Sequence, residues 1–227
     1  MFRGTSEMSV VLIGRLLAVG AASINVIAAN EGAAGSPGDG GWEFGYDRLS
    51  VSPPEVYLGM SEGGIGSLVY GECRGMVAAD VGKVHRWVCT GSVATGDMFG
   101  YTNGHRGPLT GAITSFVEAD TAPLLNGVIG SVGTNGLDDI EVCDIAVIDR
   151  AFTAAEVEEL DKLILSTGNL PSYDWVHHFK AERLINYDLV LDAGGLNAGR
   201  GFIADAGIAP ILGSVLIHPQ DWGGSGA

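Results

Sequence analysis

The sequence predicts an all-β protein, an antiparallel β-sandwich with one short helix near residues 154–166 and a C-terminal β extension. Short runs rich in β-branched and aromatic residues recur along the chain, and Gly, Pro and Asn-Gly turns separate them. Glycine makes up 36 of the 227 residues, against about 7% in an average protein, and a chain so rich in glycine turns often. One segment alone has the 3.6-residue apolar period of an amphipathic helix.

The first half of the chain is predicted to hold most of the strands. Segment 30–41 consists largely of Gly, Ala, Ser and Pro, so it is predicted to be a loop. Asn103-Gly104 predicts a two-residue hairpin, because a type I′ turn needs a positive φ at both central positions. Apolar runs bounded by turn residues define the predicted strands, which are 9–13, 23–28, 42–51, 55–59, 67–70, 84–90 and 98–101.

A strand, a tight turn and a helix follow one another in the second half of the chain. Ile145 and Val147 give the strand a buried face, and the neighbouring carboxylates are interpreted as surface residues. Thr153 stands at the N-cap position, and Glu156, three residues on, completes a capping box. Gly168 supplies the left-handed residue that commonly ends a helix.

This stretch resembles the closing segment of laminin G-like, concanavalin A-like jelly-roll domains, whose last core strand typically reads I-D-E-V-R-I-Y-x-R-A-L-S-x-x-E-I. Residues 150–153 and Glu156-Val157 match that pattern, whereas Cys143 and Asp144 stand where the family has an acidic pair. The hairpin at 84–104 extends the resemblance, which covers roughly residues 80–165. The resemblance implies that residues 1–168 form a jelly-roll sandwich.

The tail, residues 169–227, follows the helix that should close such a domain. It has strand character at 175–180 and 188–192, and a Gly/Asn loop follows at 192–197. This order resembles the opening of a laminin G-like domain, where a first strand precedes a D-x-S-G-x-G-N turn. Three arrangements remain open: a circularly permuted domain, exchange of the tail with a neighbouring copy, and a separate C-terminal arm.

Charge and cysteine content limit the partners and the compartment. The formal net charge of −15 excludes nucleic acid and anionic membranes as partners, because both require basic patches. Cys73, Cys89 and Cys143 are predicted to be buried thiols in a reducing compartment, with one disulfide among them left open. Arg15 and Asn25 interrupt the apolar N-terminus, which is therefore predicted to form strands and not a signal peptide.

No cluster of residues predicts catalysis. Residues 139–144 (D-x-E-x-x-D) are similar to the E-x-D-x-x-E strand of laminarinase-type glucanases, but Asp is too short to replace Glu in that geometry, and sugar-stacking tryptophans are missing beside it. The histidines lack zinc-ligand spacing. No cofactor is therefore predicted, although calcium remains an option because acidic residues lie in Gly/Asn loops. These residues are Asp97, Asp138, Asp139 and Asp192.

Three functions fit the sequence. The first is a non-enzymatic structural protein on a particle surface, as a phage capsid decoration (cement) or fibre-like virion protein assembled in the host cytoplasm. It would bind a major capsid or other virion protein and form homo-oligomers, with Trp175, Phe179 and Trp222 as candidate interface residues. The alternative is an extracellular, lectin-like adhesion module that binds surface glycans. A glycoside hydrolase is the third.

Overall fold

A computed structural model describes residues 5–17, 19, 24–33, 36–47, 53–62, 68–108, 111–118, 128–129, 140–180, 190–192 and 200–201. Among these residues the predicted antiparallel β-sandwich with one α-helix is confirmed. The larger sheet has the strand order β14-β13-β12-β11-β1-β6-β7-β8, with β9 also paired to β7, and the smaller has the order β10-β2-β3-β4-β5.

The strands are bounded as follows. In the larger sheet they are β1 (Glu7–Leu16), β6 (Val84–Ser92), β7 (Asp97–Thr102), β8 (His105–Arg106), β9 (Gly111–Ala112), β11 (Ile140–Ile148), β12 (His177–Lys180), β13 (Val190–Asp192) and β14 (Arg200–Gly201). In the smaller sheet they are β2 (Ile24–Ala33), β3 (Ser36–Asp47), β4 (Glu55–Ser61), β5 (Leu68–Glu72) and β10 (Val128–Ile129). The α-helix, α1, spans Ala154–Thr167.

The main core lies between the two sheets. Alternate side chains of β1 and β6 point inward, among them Leu12 and the fully buried Trp87, and meet those of β3 and β4, such as Phe44 and Leu58. Because successive residues of a strand face opposite sides, the other half of each strand faces outward. The outward face of the larger sheet is defined as the outer face.

The helix α1 covers part of the outer face and buries it. Val157, Leu160 and Ile164 of the helix pack on Val11 and Val88 of the sheet. The predicted capping box is present: Glu156 N–H donates to Thr153 Oγ1 (3.3 Å), and Thr153 N–H donates to Glu156 Oε2 (2.8 Å). Gly168 ends the helix with φ +69°, as predicted.

The predicted hairpin turn is also confirmed. Asn103 and Gly104 have φ values of +52° and +76°, and they connect β7 to β8. The Asn103 side chain attaches this turn to β6, because its Oδ1 accepts a hydrogen bond from Arg86 N–H (3.0 Å).

The loop predicted for residues 30–41 is wrong. β2 extends to Ala33 and β3 begins at Ser36, so most of this segment is paired strand. Small side chains do not prevent pairing, because the ladder is made by backbone groups. Gly41 N–H also donates to Val117 O (2.8 Å), and a Cβ at Gly40 would lie 2.2 Å from Glu118 O. The glycines therefore let segment 113–118 lie directly on this strand.

The C-terminal strands belong to the larger sheet of their own chain. β12 pairs antiparallel with β11, β13 pairs with β12, and β14 pairs with β13. Val176 N–H extends the first pairing by donating to Val147 O (2.8 Å). The division at residue 168 and the likeness of the tail to a domain opening stay predictions.

Candidate functional site

An open groove of about 280 Å³ lies on the outer face where α1 begins. We call it the outer groove. Its floor is formed by Thr90 and Ser92 of β6, with Glu7 of β1 beside them. One wall carries Phe99 of β7 and Arg106 of β8, and the other is the segment 151–154 that leads into the helix.

Strand register brings the groove residues together. Glu7 is paired with Ser92, and Ser92 with Asp97, so these three side chains form one row across β1, β6 and β7. In the next outward-facing row, Thr90 is paired with Phe99. Neighbouring strands lie about 4.8 Å apart, so each row places its side chains within reach of one small ligand.

An arginine stacked on an aromatic ring forms the first wall. Arg106 Cζ lies 3.4 Å from the centroid of the Phe99 ring, the separation of stacked planar groups. Phe99 is half-buried and Arg106 is exposed. The stack holds the guanidinium in one orientation, and no residue of the described part hydrogen-bonds its N–H groups. Within the described part of the chain, its N–H donors therefore have no competing acceptor.

The carboxylates of the row have different partners. Ser92 Oγ donates to Glu7 Oε1 (3.0 Å) and accepts a hydrogen bond from Thr95 N–H (3.3 Å). Within the described residues, Asp97 has no hydrogen-bond partner for its carboxylate. Among the described residues, the groove thus presents the guanidinium of Arg106, the carboxylate of Asp97 and several hydroxyl groups.

Ser9 fixes the second wall. Its Oγ accepts a hydrogen bond from Phe152 N–H (2.9 Å) and lies 2.9 Å from the carbonyl oxygen of Arg150. It also lies 3.1 Å from Thr90 Oγ1 on the groove floor. The start of the helix is therefore attached to the strands that form the floor.

Tyr101 lies at the inner end of the groove, where the helix begins to cover the sheet. Burial raises the pKa of its phenol, the carboxylate of Asp97 adds to the rise, and the guanidinium of Arg106 opposes it. Because the net shift is upward from a starting value of 10.0, the phenol stays neutral at physiological pH and can both donate and accept hydrogen bonds.

Of the three residues predicted for an interface, Trp175 has a described side chain. Trp175 is buried with 4% of its surface exposed, and its indole N–H donates to Pro171 O (2.9 Å). The backbone of Phe179 pairs with β11, whereas its side chain and the whole of Trp222 lie outside the described residues. Their interface role stays a prediction, and for Trp175 it would require the buried ring to become accessible.

The interpretation of Asp144 as a surface residue is wrong. Asp144 is 1% exposed, and its Oδ1 lies 2.8 Å from His178 Nε2 on β12. The tail strand covers this part of β11, which the local sequence pattern does not indicate. A β-bulge at Cys143 also breaks the register between β1 and β11. Asp139 and the Glu141 side chain lie outside the described residues.

Calcium stays a prediction. No group of three or more His, Cys, Asp or Glu side chains suited to holding a metal ion occurs in the part of the chain that the structure describes. Of the acidic residues proposed, Asp97 borders the outer groove, and the side chains of the other three lie outside that part. Within the same residues, no helix is long and apolar enough to cross a bilayer.

Sequence reasoning missed the outer groove. It placed Asp97 in a loop and did not single out Arg106 or Phe99. A usable pattern was nevertheless present, because Glu7, Ser92 and Asp97 are polar residues at strand ends. Which of these ends meet depends on the pairing of strands that are distant in sequence.

No protein-family model and no curated protein sequence matches the chain. Solved structures do match. A protein of Bacteroides ovatus assigned to carbohydrate binding has a TM-score of 0.55 and 14% identity, over 83% of this chain and 49% of that one. The carbohydrate-binding module (CBM40) of the Ruminococcus gnavus IT-sialidase, bound to α2,3-sialyllactose, has a TM-score of 0.50 and 12% identity, over 70% and 84%.

A native heptameric pentraxin from Limulus polyphemus also matches, with a TM-score of 0.48 and 17% identity, over 69% of this chain and 70% of that one. The chain spans about half the length of the Bacteroides protein. The Bacteroides protein and the CBM40 module are β-sandwiches of the jelly-roll, concanavalin A-like type, and this chain has that fold. None of these matches is a virion protein, so they give no support to a phage origin.

Proposed function

We propose that the chain is a carbohydrate-binding, lectin-like module and that the outer groove is its binding site. The observation that carries this proposal is the Arg106 guanidinium stacked on Phe99 and facing a row of polar side chains. The predicted role in a phage virion stays a prediction from the sequence, as do the expected homo-oligomer and the absence of catalysis.

The groove has the chemical groups that recognition of a sugar requires. A sugar ring carries hydroxyl groups at its rim, each of which can donate and accept a hydrogen bond. The planar guanidinium of Arg106 offers up to five N–H donors in a fixed geometry, and the Asp97 carboxylate is an acceptor. The hydroxyls of Thr90 and Thr95 can do both, whereas Ser92, whose hydroxyl already donates to Glu7, can only accept. A few oriented polar groups beside an aromatic ring are typical of small-ligand sites.

The size and openness of the groove also fit this class of ligand. A volume of about 280 Å³ lies just below the usual range for drug-sized ligands, which is about 300–1,000 Å³. One or two sugar units of a longer glycan could lie in it, with the rest of the glycan in solvent. The fold is one on which two of the matching proteins are described as carbohydrate-binding.

Glycan arrays followed by calorimetry test the proposal. We expect a reproducible glycan ligand whose affinity falls at least about tenfold in Phe99→Ala and in Arg106→Ala, which is a loss of about 1.4 kcal/mol. Comparing neutral sugars with carboxylate-bearing ones then identifies the preferred class, because Arg106 would pair with a carboxylate more strongly than with a hydroxyl.

Two matched variants control for general effects. Tyr70→Ala removes an exposed aromatic residue from β5, on the smaller sheet, and Lys83→Ala removes an exposed cation from a turn. Both should bind the glycan like the unaltered chain. The proposal is wrong if no glycan binds, or if these two variants lose as much affinity as the groove variants.

A further inference from the structure

Two buried cysteines approach each other between the sheets. Cys89 is on the inward face of β6, and Cys73 follows β5 directly, where its N–H donates to Val56 O (2.8 Å) and prolongs the pairing of the smaller sheet. Both are fully buried, and their sulfur atoms are 3.6 Å apart. Each thiol thus belongs to a different sheet, and the two meet in the main core.

A glycine in the sequence allows the two sheets to approach closely at this point. Gly100 is the register partner of Cys89 on β7. A Cβ at Gly100 would lie 2.3 Å from Cys73 N and 2.4 Å from Glu72 O, so the absence of a side chain lets the backbone beyond β5 lie directly on β7. Stacked sheets are usually about 10 Å apart, and the contact here is shorter.

We propose that Cys73 and Cys89 form a disulfide that joins the two sheets when the chain folds in an oxidising environment. A disulfide needs a sulfur–sulfur distance of about 2.05 Å, so the sulfurs must move together by about 1.5 Å. Rotation of the Cys73 side chain can supply part of this movement, because its thiol donates only one weak hydrogen bond, to Tyr101 O (3.3 Å).

Forming the disulfide requires an oxidant, for which oxidised glutathione is sufficient. One cysteine thiolate attacks a sulfur of the oxidant and releases one glutathione, which leaves a mixed disulfide on the protein. The second cysteine then attacks the protein-bound sulfur and releases the second glutathione. Two protein thiols are oxidised to one disulfide, and the two electrons and two protons are carried away by the two reduced glutathione molecules.

The buried position also predicts when the bond forms. Desolvation raises the pKa of the Cys89 thiol, and the hydrogen bond with Cys73 adds to the rise. The thiolate is the reactive form, so the folded, reduced chain should oxidise slowly. We therefore expect the bond to form during folding, or during transient opening of the sandwich.

Thiol counting and peptide mapping test the proposal on the full chain. The protein is refolded in a glutathione redox buffer or in excess reductant. It is then unfolded and alkylated, and its intact mass is determined by mass spectrometry. We expect two fewer alkylated thiols after oxidative refolding. Trypsin separates the two cysteines by cleaving after Arg74, Lys83 and Arg86, so a linked pair of peptides that separates on reduction would identify the bond.

Stability gives a second measurement. Closing the loop between these cysteines, which are 16 positions apart, should raise the melting temperature by about 6–12 °C relative to the reduced chain. Cys143→Ser should keep the whole shift, and Cys73→Ala should abolish it. If Cys73→Ala does not fold, the comparison of oxidised and reduced unaltered chain still decides.

Two results would overturn the proposal. One is that Cys73 and Cys89 are both alkylated after refolding under every oxidising condition. The other is that the thiols consumed include Cys143, whether within one chain or between two chains. Glycan binding is a separate measurement, since the outer groove lies on the opposite face of β6, and either proposal can fail without the other.

Discussion

The outer face of the larger sheet has a covered half under α1 and an open half at the outer groove, and β1, β6 and β7 contribute to both. In the covered half, apolar side chains such as Val11 and Val88 point outward against the helix. In the open half, further along the same strands, they are Glu7, Ser92 and Asp97. Strand alternation decides which face a residue occupies, and the position of the helix decides whether that face must be apolar.

The described residues of the covered half also include a buried ion pair. Arg86 Nε donates to Asp161 Oδ1 (2.6 Å), and both side chains are largely buried between the sheet and α1. Arg86 is thus paired within the fold, whereas Arg106, two strands away, stacks on Phe99 and has no hydrogen-bond partner among the described residues. If this comparison is right, changes in the covered half should affect stability, and changes in the open half should affect binding.

The largest effect is expected for Asp161→Ala. It leaves the Arg86 guanidinium buried without its partner, which should lower the free energy of unfolding by about 3–5 kcal/mol. Urea unfolding followed by circular dichroism measures this loss. The double variant Arg86→Met/Asp161→Leu should recover most of it, because no unpaired charge remains. A loss below about 1 kcal/mol in the single variant would show that the pair behaves like an exposed one.

Two leucines of α1 give the next test. Leu160 is fully buried against the sheet, whereas Leu165 is 48% exposed. Leu160→Ala should lower the free energy of unfolding by about 2–5 kcal/mol, because it removes buried methyl groups and leaves a cavity. Leu165→Ala, the same substitution on the same helix, should change it by no more than about 0.5 kcal/mol. Equal effects would mean that the helix does not pack on the outer face in this orientation.

A smaller effect is expected at Thr153, on the boundary between the two halves. Thr153→Ala removes the hydroxyl that accepts from Glu156 N–H, which should cost about 1 kcal/mol. Thr153→Ser keeps the hydroxyl and should retain most of the stability. Thermal unfolding at neutral pH separates the two variants, and an equal loss in both would indicate that the methyl group, and not the cap, is responsible.

The same cap predicts a pH dependence. Burial favours the protonated Glu156 carboxyl, but hydrogen bonds from Thr153 N–H, Arg150 and the Thr153 hydroxyl outweigh it and lower the pKa. A carboxyl whose pKa is lower in the folded chain stabilises the fold at pH values above the unfolded pKa of about 4.5. This contribution is lost as the pH falls from that value through the folded pKa. Thr153→Ala should therefore weaken the decrease in stability below pH 4.5, as unfolding at several pH values would measure.

Features that depend on neighbours in sequence could be predicted. The turn at Asn103-Gly104, the capping box of Thr153 and the helix end at Gly168 each require only a few adjacent residues. The strand at 36–41 could not, because its small residues have no apolar pattern and pairing with β2 and with segment 113–118 determines its structure. Local composition alone therefore gave the wrong result there.

The candidate site depends almost wholly on distant residues. Ser9, which fixes the second wall, and Thr90 on the groove floor are 81 positions apart. Glu7 and Ser92, which share the groove floor, are 85 apart. Each of these residues, taken by itself, is an ordinary polar residue on a strand. Their chemistry becomes visible only when the register of β1, β6 and β7 is known.

The smallest effect on stability is expected for Arg106→Lys in the open half. Lysine keeps the charge but loses the planar group that stacks on Phe99 and the forked arrangement of donors. An exposed cation–π contact contributes about 0.5–1 kcal/mol, so stability should change by no more than that. Affinity for the glycan should still fall about tenfold if orientation of the guanidinium is what the site requires.

Lys83→Arg is the matched control, because it makes the reverse exchange at an exposed turn away from the groove. It should alter neither stability nor affinity. If Arg106→Lys binds as well as the unaltered chain while Arg106→Ala does not, the open half supplies only a positive charge and the stack on Phe99 has no part in recognition. If Arg106→Lys instead costs as much stability as Leu160→Ala, the open half is structural and the contrast between the two halves fails.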